Sequence, residues 1–260
     1  MPPLSRHRPP LYWKYGVSVR KRWHRLRRIW RPDREFEECQ YFGATFRVNR
    51  NDVIGREMIL KRYEWLQIAA MLRACRQLQP AAFIDVGANF GLYICIIGRQ
   101  RAAERLIAFE PDRRAFGLLR EHLALNVLPH AESHEAAVGV GYGHAVLLPA
   151  TGANSGLSKV VRSHPQGYDV KLVSLDEMIC LAGQPLVIKI DVEGFELPVL
   201  EGARRLLTEN HGYVQVESLD ESDRSVVTKM AQFGWELCDR INADWIFRRR
   251  CDPLQAPLRQ

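Results

Sequence analysis

No apolar run in this 260-residue chain approaches the ~20 residues that a membrane-spanning helix requires, and the N-terminus carries no apolar signal core. The chain is therefore expected in the cytoplasm. Cysteine is sparse and scattered: Cys39, Cys75, Cys95, Cys180, Cys238 and Cys251 form no C-x-x-C pair, and no histidines cluster at zinc-ligand spacing. Reduced thiols are expected and no metal is assigned. Low-complexity composition is also missing: with 47% hydrophobic and 26% charged residues, the chain is too apolar to be wholly disordered and is expected to fold. Acidic charge is nearly absent from residues 1–34, which hold 11 Lys/Arg against Asp33 alone, a net of +10. Residues 35–260 hold 26 Lys/Arg against 29 Asp/Glu, a net of −3, so the overall +7 describes a tail and says nothing about a groove.

That tail opens with the basic, Pro-rich MPPLSRHRPP, which reads as disordered. Beyond it, Val19, Trp23, Leu26 and Trp30 recur at helical spacing while Arg20, Lys21, Arg22, Arg25, Arg27 and Arg28 crowd the remaining surface. A basic amphipathic helix of this kind can lie on an anionic membrane with its Trp rings at headgroup level, bind nucleic acid, or pack on its own domain. Peripheral contact with the inner membrane face suits the Trp content best.

The segment from Glu35 to Arg62 reads as irregular strands and turns, and YEWLQIAAMLRACRQL as a helix ending before Pro80. From there the pattern turns regular. AAFIDV, RLIAFE, SHEAAV, PLVIKID and YVQVES are short strand-like runs, and between most of them lie the helical segments FGLYICIIGRQ, RRAFGLLREHLALN, SLDEMICLAG and FELPVLEGARRLL. Alternating β and α units predict a parallel sheet covered by helices on both faces. WELCDR and WIFRRR predict a terminal antiparallel hairpin, and the stretch between Gly139 and Asp169 reads as an insertion that breaks the rhythm. Within it, Asn154-Ser155-Gly156 can serve as a lid or simply as a turn. Ser174 and Glu177 predict a capping box. His122, inside a helix, reads as a surface or packing residue, and His164 sits in an unplaced loop; neither is assigned a function.

Ligands of open α/β sheets bind beyond the carboxyl ends of the strands where strand order reverses. The first regular strand ends in Asp85-Val86-Gly87-Ala88-Asn89-Phe90-Gly91 and runs straight into a helix. The glycines allow close backbone approach and positive φ. The second strand ends in Glu110, 19 residues after Gly91, where a carboxylate can accept both ribose hydroxyls of an adenosyl group. The turn is G-x-x-x-G and lacks the third glycine of the pyrophosphate fingerprint. At an assumed ~6 Å and an effective dielectric of ~20, one charge pair is worth roughly 3 kcal/mol, so Asp85 disfavours pyrophosphate and favours an ammonium. S-adenosylmethionine has that ammonium and no phosphate. Asp85, Gly87, Asn89, Gly91 and Glu110 are therefore its candidate binding residues.

FIDVGANFGLY (83–93), IAFEPD (107–112), ANSGLSKV (153–160), VKLVSLDEMI (170–179) and IKIDVEGFELPVLEGA (188–203) together resemble the FkbM-type methyltransferases, over about residues 52–218. The resemblance implies a class I methyltransferase, Rossmann-like, with a seven-stranded mostly parallel sheet, and O-methylation of hydroxyls on natural products, sugars or glycolipids. Asp191 and Glu193, at and just past a strand end, stand where a base would remove the hydroxyl proton; they can equally bind the insertion or cap a helix. Together with Glu217 they can also be read as Mg²⁺ ligands, which the spacing does not require. The expected organisation is a leader over 1–34, a methyltransferase domain over 35–250 and a short tail over 251–260, acting on a small-molecule or glycan acceptor. A nucleic-acid methyltransferase anchored by the leader is the alternative within enzymes, although no basic patch or N-P-P-Y motif follows the fourth strand. A non-catalytic S-adenosylmethionine-binding protein at the membrane is the alternative outside them.

Overall fold

The computed structural model describes residues 35–149, 158–161, 164–218 and 224–251. The readings of the leader, of the Asn154-Ser155-Gly156 turn and of the tail beyond Cys251 lie outside the described residues. The chain enters through an antiparallel hairpin, β1 (Phe36–Tyr41) and β2 (Ala44–Asn49), followed by α1 (Val53–Ile59) and α2 (Trp65–Leu78). Asp52 starts α1 by accepting the Ile54 amide. The expected irregular stretch over 35–62 is thus regular, and tertiary bonds hold it. The Asn126 side chain bonds the Thr45 amide and carbonyl, and His122, 1% exposed, accepts the Arg47 amide at 3.1 Å while its Nδ1 lies 2.7 Å from the Phe90 carbonyl oxygen.

The central sheet contains β3 (Ala82–Val86), β4 (Arg105–Phe109), β5 (Glu132–His134), β10 (Pro185–Ile190), β11 (His211–Glu217), β12 (Glu236–Ile241) and β13 (Asp244–Arg249). Its order is β12-β13-β11-β10-β3-β4-β5; β13 alone runs antiparallel to its neighbours, and the expected terminal hairpin is β12–β13. All of β3 and all of β10 after Pro185 are buried, as continuous apolar runs in a sheet covered on both faces should be. One face carries α2, α3 (Leu92–Arg99) and α4 (Arg113–Leu125), with Met71, Ile94, Ile96 and Leu119 in its core. The other carries α5 (Leu175–Met178), α6 (Glu196–Glu201), α7 (Arg204–Glu209) and α8 (Ser225–Gln232), with Val199, Leu200, Leu206 and Met230. Strand order reverses between β3 and β10, whose register pairs Lys189 with Asp85.

Two local readings need correction. SHEAAV is two strands in two sheets: β5 ends at His134, the Ala136 amide turns back to the His134 carbonyl at 3.0 Å, and β6 (Ala137–Val138) joins another sheet. That sheet, β6-β9-β7-β8, is built from the insertion through β7 (Gly143–Leu148), β8 (Lys159–Val161) and β9 (Tyr168–Val173). FELPVLEGARRLL is two helices, because the Asp176 carboxylate receives the Arg205 and Leu206 amides at 2.8 Å each and so starts α7 as a separate helix. Ser174 and Glu177 form the predicted capping box, with Ser174 Oγ donating to the Glu177 carboxylate at 2.8 Å and receiving its amide at 3.3 Å.

Candidate active site

An open cleft of about 600 Å³ lies beyond the carboxyl ends of β3, β4 and β10, lined among others by Gly87, Asn89, Glu110, Asp112, Asp191 and Glu193. The turn after β3 forms its floor. The Gly87 and Ala88 amides bond the Phe109 carbonyl at 2.9 and 3.0 Å, which ties this turn to the end of β4. Gly87 has φ +77°, and a Cβ there would stand 1.8 Å from the Asp191 carbonyl oxygen, so two strand ends approach at a distance only glycine permits.

Glu110, 6% exposed, anchors one end of the cleft. Its oxygens receive the Asn89 amide at 2.7 Å and the Asp112 amide at 2.8 Å, which fixes the carboxylate plane and leaves further lone pairs for hydroxyl donors. Burial pushes its carboxyl up to about 7, with Asp112 and Asp191 adding to the rise and the two amides opposing it. Asp112 caps α4 through the Arg114 amide at 2.9 Å and receives Ser158 Oγ at 3.0 Å, so β8 of the insertion sheet closes on this end.

The other end is acidic around the buried Lys189. Lys189, 4% exposed, places Nζ 2.8 Å from Asp191 Oδ2 and 4.8 Å from the Tyr93 ring centroid. Burial alone would lower its pKa, but Asp191, Glu64 and Asp85 outweigh that and hold the ammonium charged. Burial and the adjacent Asp191 carboxylate, to which it hydrogen-bonds, push Glu217 well up, so it keeps its proton. Glu193 adopts φ +52°, and its Oε2 is buried without a hydrogen-bond partner. Burial first, then Asp191 and Glu196, push it up to about 6 against the pull of Lys159 and Lys189. Glu196 is engaged elsewhere, receiving the Gly194 amide at 2.9 Å.

Gly87, Asn89, Glu110, Asp191 and Glu193 thus meet in one cleft, while Asp85 and Gly91 lie beneath it. Asp85, 1% exposed, receives the Ile94 amide at 3.2 Å and is pushed up to about 6 by burial, so it acts on the cleft from below, through Lys189. Gly91, at φ +85°, starts α3 against Leu119. Among the described residues, no three His, Cys, Asp or Glu side chains are placed to hold a metal ion, so Asp191, Glu193 and Glu217 form no oxygen cage for Mg²⁺. Sequence reasoning missed Asp112, Ser158 and the buried partners Glu64 and Tyr93. Asp112 had a signal, a helix-capping acid two residues after the ribose acid; Glu64 and Ser158 had none, since their partners lie 29 and 46 residues away.

A parallel core with one antiparallel strand inserted beside its last member, a glycine turn after β3 and a buried acid ending β4 make up the class I methyltransferase fold. The chain belongs to the FkbM methyltransferase family: the family described as "Methyltransferase FkbM domain" matches residues 85–240. It is similar to the hexuronic acid methyltransferase AglP of Haloferax volcanii, 32% identical over 152 residues that span 56% of this chain and 59% of that protein's length. Solved structures of similar trace include the precorrin-6y C5,15-methyltransferase of Geobacter metallireducens GS-15, 13% identical with a TM-score of 0.45 over 72% of this chain and 88% of that one. Another is the Pyrococcus abyssi tRNA (uracil-54, C5)-methyltransferase in complex with S-adenosyl-L-homocysteine, 9% identical with a TM-score of 0.45 over 83% and 43%. The donor of this family, S-adenosylmethionine, fits the residues present: Glu110 offers the ribose hydroxyls its free lone pairs, and Gly87 lines the cleft without a side chain.

Proposed function

We propose that this chain methylates a hydroxyl oxygen of a sugar or sugar-bearing acceptor. The observation that carries the reading is one cleft with the ribose acid Glu110 at one end and Asp191 and Glu193 at the other, at the point where strand order reverses. The named activity of the Haloferax volcanii relative supports a sugar acceptor. When bound, S-adenosylmethionine supplies a methyl group on a sulfonium. The chain's own work is to hold the donor through Glu110 and the 87–91 turn, to position the acceptor, and to take its proton, since a neutral hydroxyl is a poor nucleophile and a placed base is worth about 10² to 10⁴ in rate.

In this reading, residues 35–250 form the catalytic domain and residues 1–34 give peripheral contact with an anionic membrane face. No described helix is long and apolar enough to cross a membrane. The test is S-adenosylhomocysteine formation with methyl glucoside, methyl glucuronide and structured RNA as acceptors, beside calorimetry of donor binding. Turnover with a glycoside supports the reading; turnover with RNA alone, or donor binding without turnover on any acceptor, overturns it.

A further inference from the structure

We propose, resting on the reading above, that Glu193 takes the proton of the acceptor hydroxyl and that Asp191 is a positioning residue, clamped between Lys189 and Glu217. Both carboxylates sit at the carboxyl end of β10 and line the same cleft, but their surroundings differ. Asp191 is committed: its Oδ2 is 2.8 Å from an ammonium that is 4% exposed, pinned under Tyr93 and unable to turn to water. Glu217, paired to the same strand end because β11 continues the register of β10, donates its proton to Asp191. Through its ion pair, Asp191 keeps Oδ2 engaged with Lys189 and not free for the acceptor. Its position is what it contributes.

Glu193 has the opposite character. Its backbone lies in the left-handed region, a strain that a non-glycine residue bears only where its surroundings impose it, and such residues concentrate at working sites. That turn brings its side chain to the cleft wall with Oε2 buried and unpartnered, although buried carboxylate oxygens are otherwise almost always paired. The charged groups facing it are Asp191 on its own strand end, Glu196 from α6, Lys159 from β8 and Lys189 from within β10. Burial, Asp191 and Glu196 outweigh the two lysines and move Glu193 towards neutral pH, where a base is both ionised and worth protonating. One acid is held by a lysine and the other has an unpartnered oxygen at the cleft, and so they divide the labour. In the step, the acceptor's O–H bond breaks and its proton passes to Glu193. The oxygen's electron pair forms the new C–O bond to the methyl carbon, and the C–S pair returns to sulfur. Glu193 then releases the proton to water.

The test combines pH–rate profiles on methyl glucoside or methyl glucuronide with carbon-13 titration of the glutamate carboxyls in the acceptor-free protein, the Glu193 signal being assigned by Glu193→Gln. Glu193→Gln should lower kcat by about 10² to 10⁴ and remove the acid limb near pH 6, with donor affinity within about twofold. Glu193→Asp should recover part of the rate. Asp191→Asn should keep an acid limb and move it to lower pH, because the negative neighbour is lost and Lys189 is freed to act on Glu193. The assignment is overturned if Glu193→Gln keeps the limb, if folded Asp191→Asn loses it, or if Glu193 titrates near the ordinary ~4.3. If neither glycoside is methylated while donor still binds, the sugar reading fails and the titration alone decides Glu193.

Discussion

Donor binding should depend on pH through one buried carboxylate. Glu110 is ringed by its own backbone, receiving the Asn89 and Asp112 amides at 2.7 and 2.8 Å, so ribose hydroxyls can only be added as further donors to an ionised group. Without donor, burial raises this carboxyl to about 7, with Asp112 and Asp191 contributing. Binding selects the ionised form. Affinity should therefore be flat above about pH 7 and fall as pH drops, by about tenfold per unit until the cleft's other carboxyls also protonate. At pH 6 the loss from Glu110 alone is about tenfold. Calorimetry in buffers of differing ionisation enthalpy should show close to one proton released on binding at pH 6 and almost none at pH 8. Glu110→Gln keeps one acceptor but sets an NH₂ against a backbone amide. Losing two charge-assisted hydrogen bonds at roughly 1.5 to 3 kcal/mol each, partly regained from the amide oxygen, should weaken binding by about 10- to 150-fold and flatten the profile between pH 6 and 7. Affinity independent of pH from 5.5 to 8, or unchanged in folded Glu110→Gln, would refute the role given to this residue.

Gly87→Ala places a Cβ 1.8 Å from the Asp191 carbonyl at a φ of +77°, so β3 and β10 must part; thermal melts should show a loss of more than about 2 kcal/mol, and donor binding should vanish. The donor-free protein should melt at higher temperature as pH falls from about 7.5 to 6. Asp85, Glu110, Glu193 and Asp244 are raised to about 6, 7, 6 and 6, chiefly by burial, and Glu217 is raised as well. Folded carboxyls with raised pKa bind protons that the unfolded chain has released, and this stability disappears as pH rises through the folded values. His134 and His211, lowered by burial, oppose the trend but are outnumbered by the raised carboxyls, and a melting temperature that falls over this range would contradict the cited shifts. Deleting residues 1–34 should leave donor affinity unchanged and abolish sedimentation with phosphatidylserine vesicles, an association that should weaken from 0.05 to 0.5 M salt as screening tightens from about 14 to about 4 Å. Sedimentation retained by the truncated chain would count against the leader as the anchor.

What the sequence determined by itself was whatever neighbouring residues encode. Continuous apolar runs marked β3 and β10 as strands buried on both faces, the glycine turn announced a close approach, and Glu110 stood at a strand end whose place in an alternating βα pattern puts it in the cleft. Ser174 and Glu177, three residues apart, carried their capping box in their spacing. The tertiary structure decided the rest. β6 and β8, two and three residues long, are too short to show a period, and a second sheet formed because distant partners aligned them. His122 read as an ordinary helical residue until Phe90 and Arg47 closed around it. Asp191 and Glu193 looked alike in sequence, two acids two residues apart, and became different only when folding set Asp191 against Lys189 and left one Glu193 oxygen buried without a partner. The physical reason is range. Backbone preference and hydrophobic period act over a few residues, whereas the charge on a buried carboxyl depends on groups such as Glu64, Lys159 and Glu217, which only the fold brings near the end of β10.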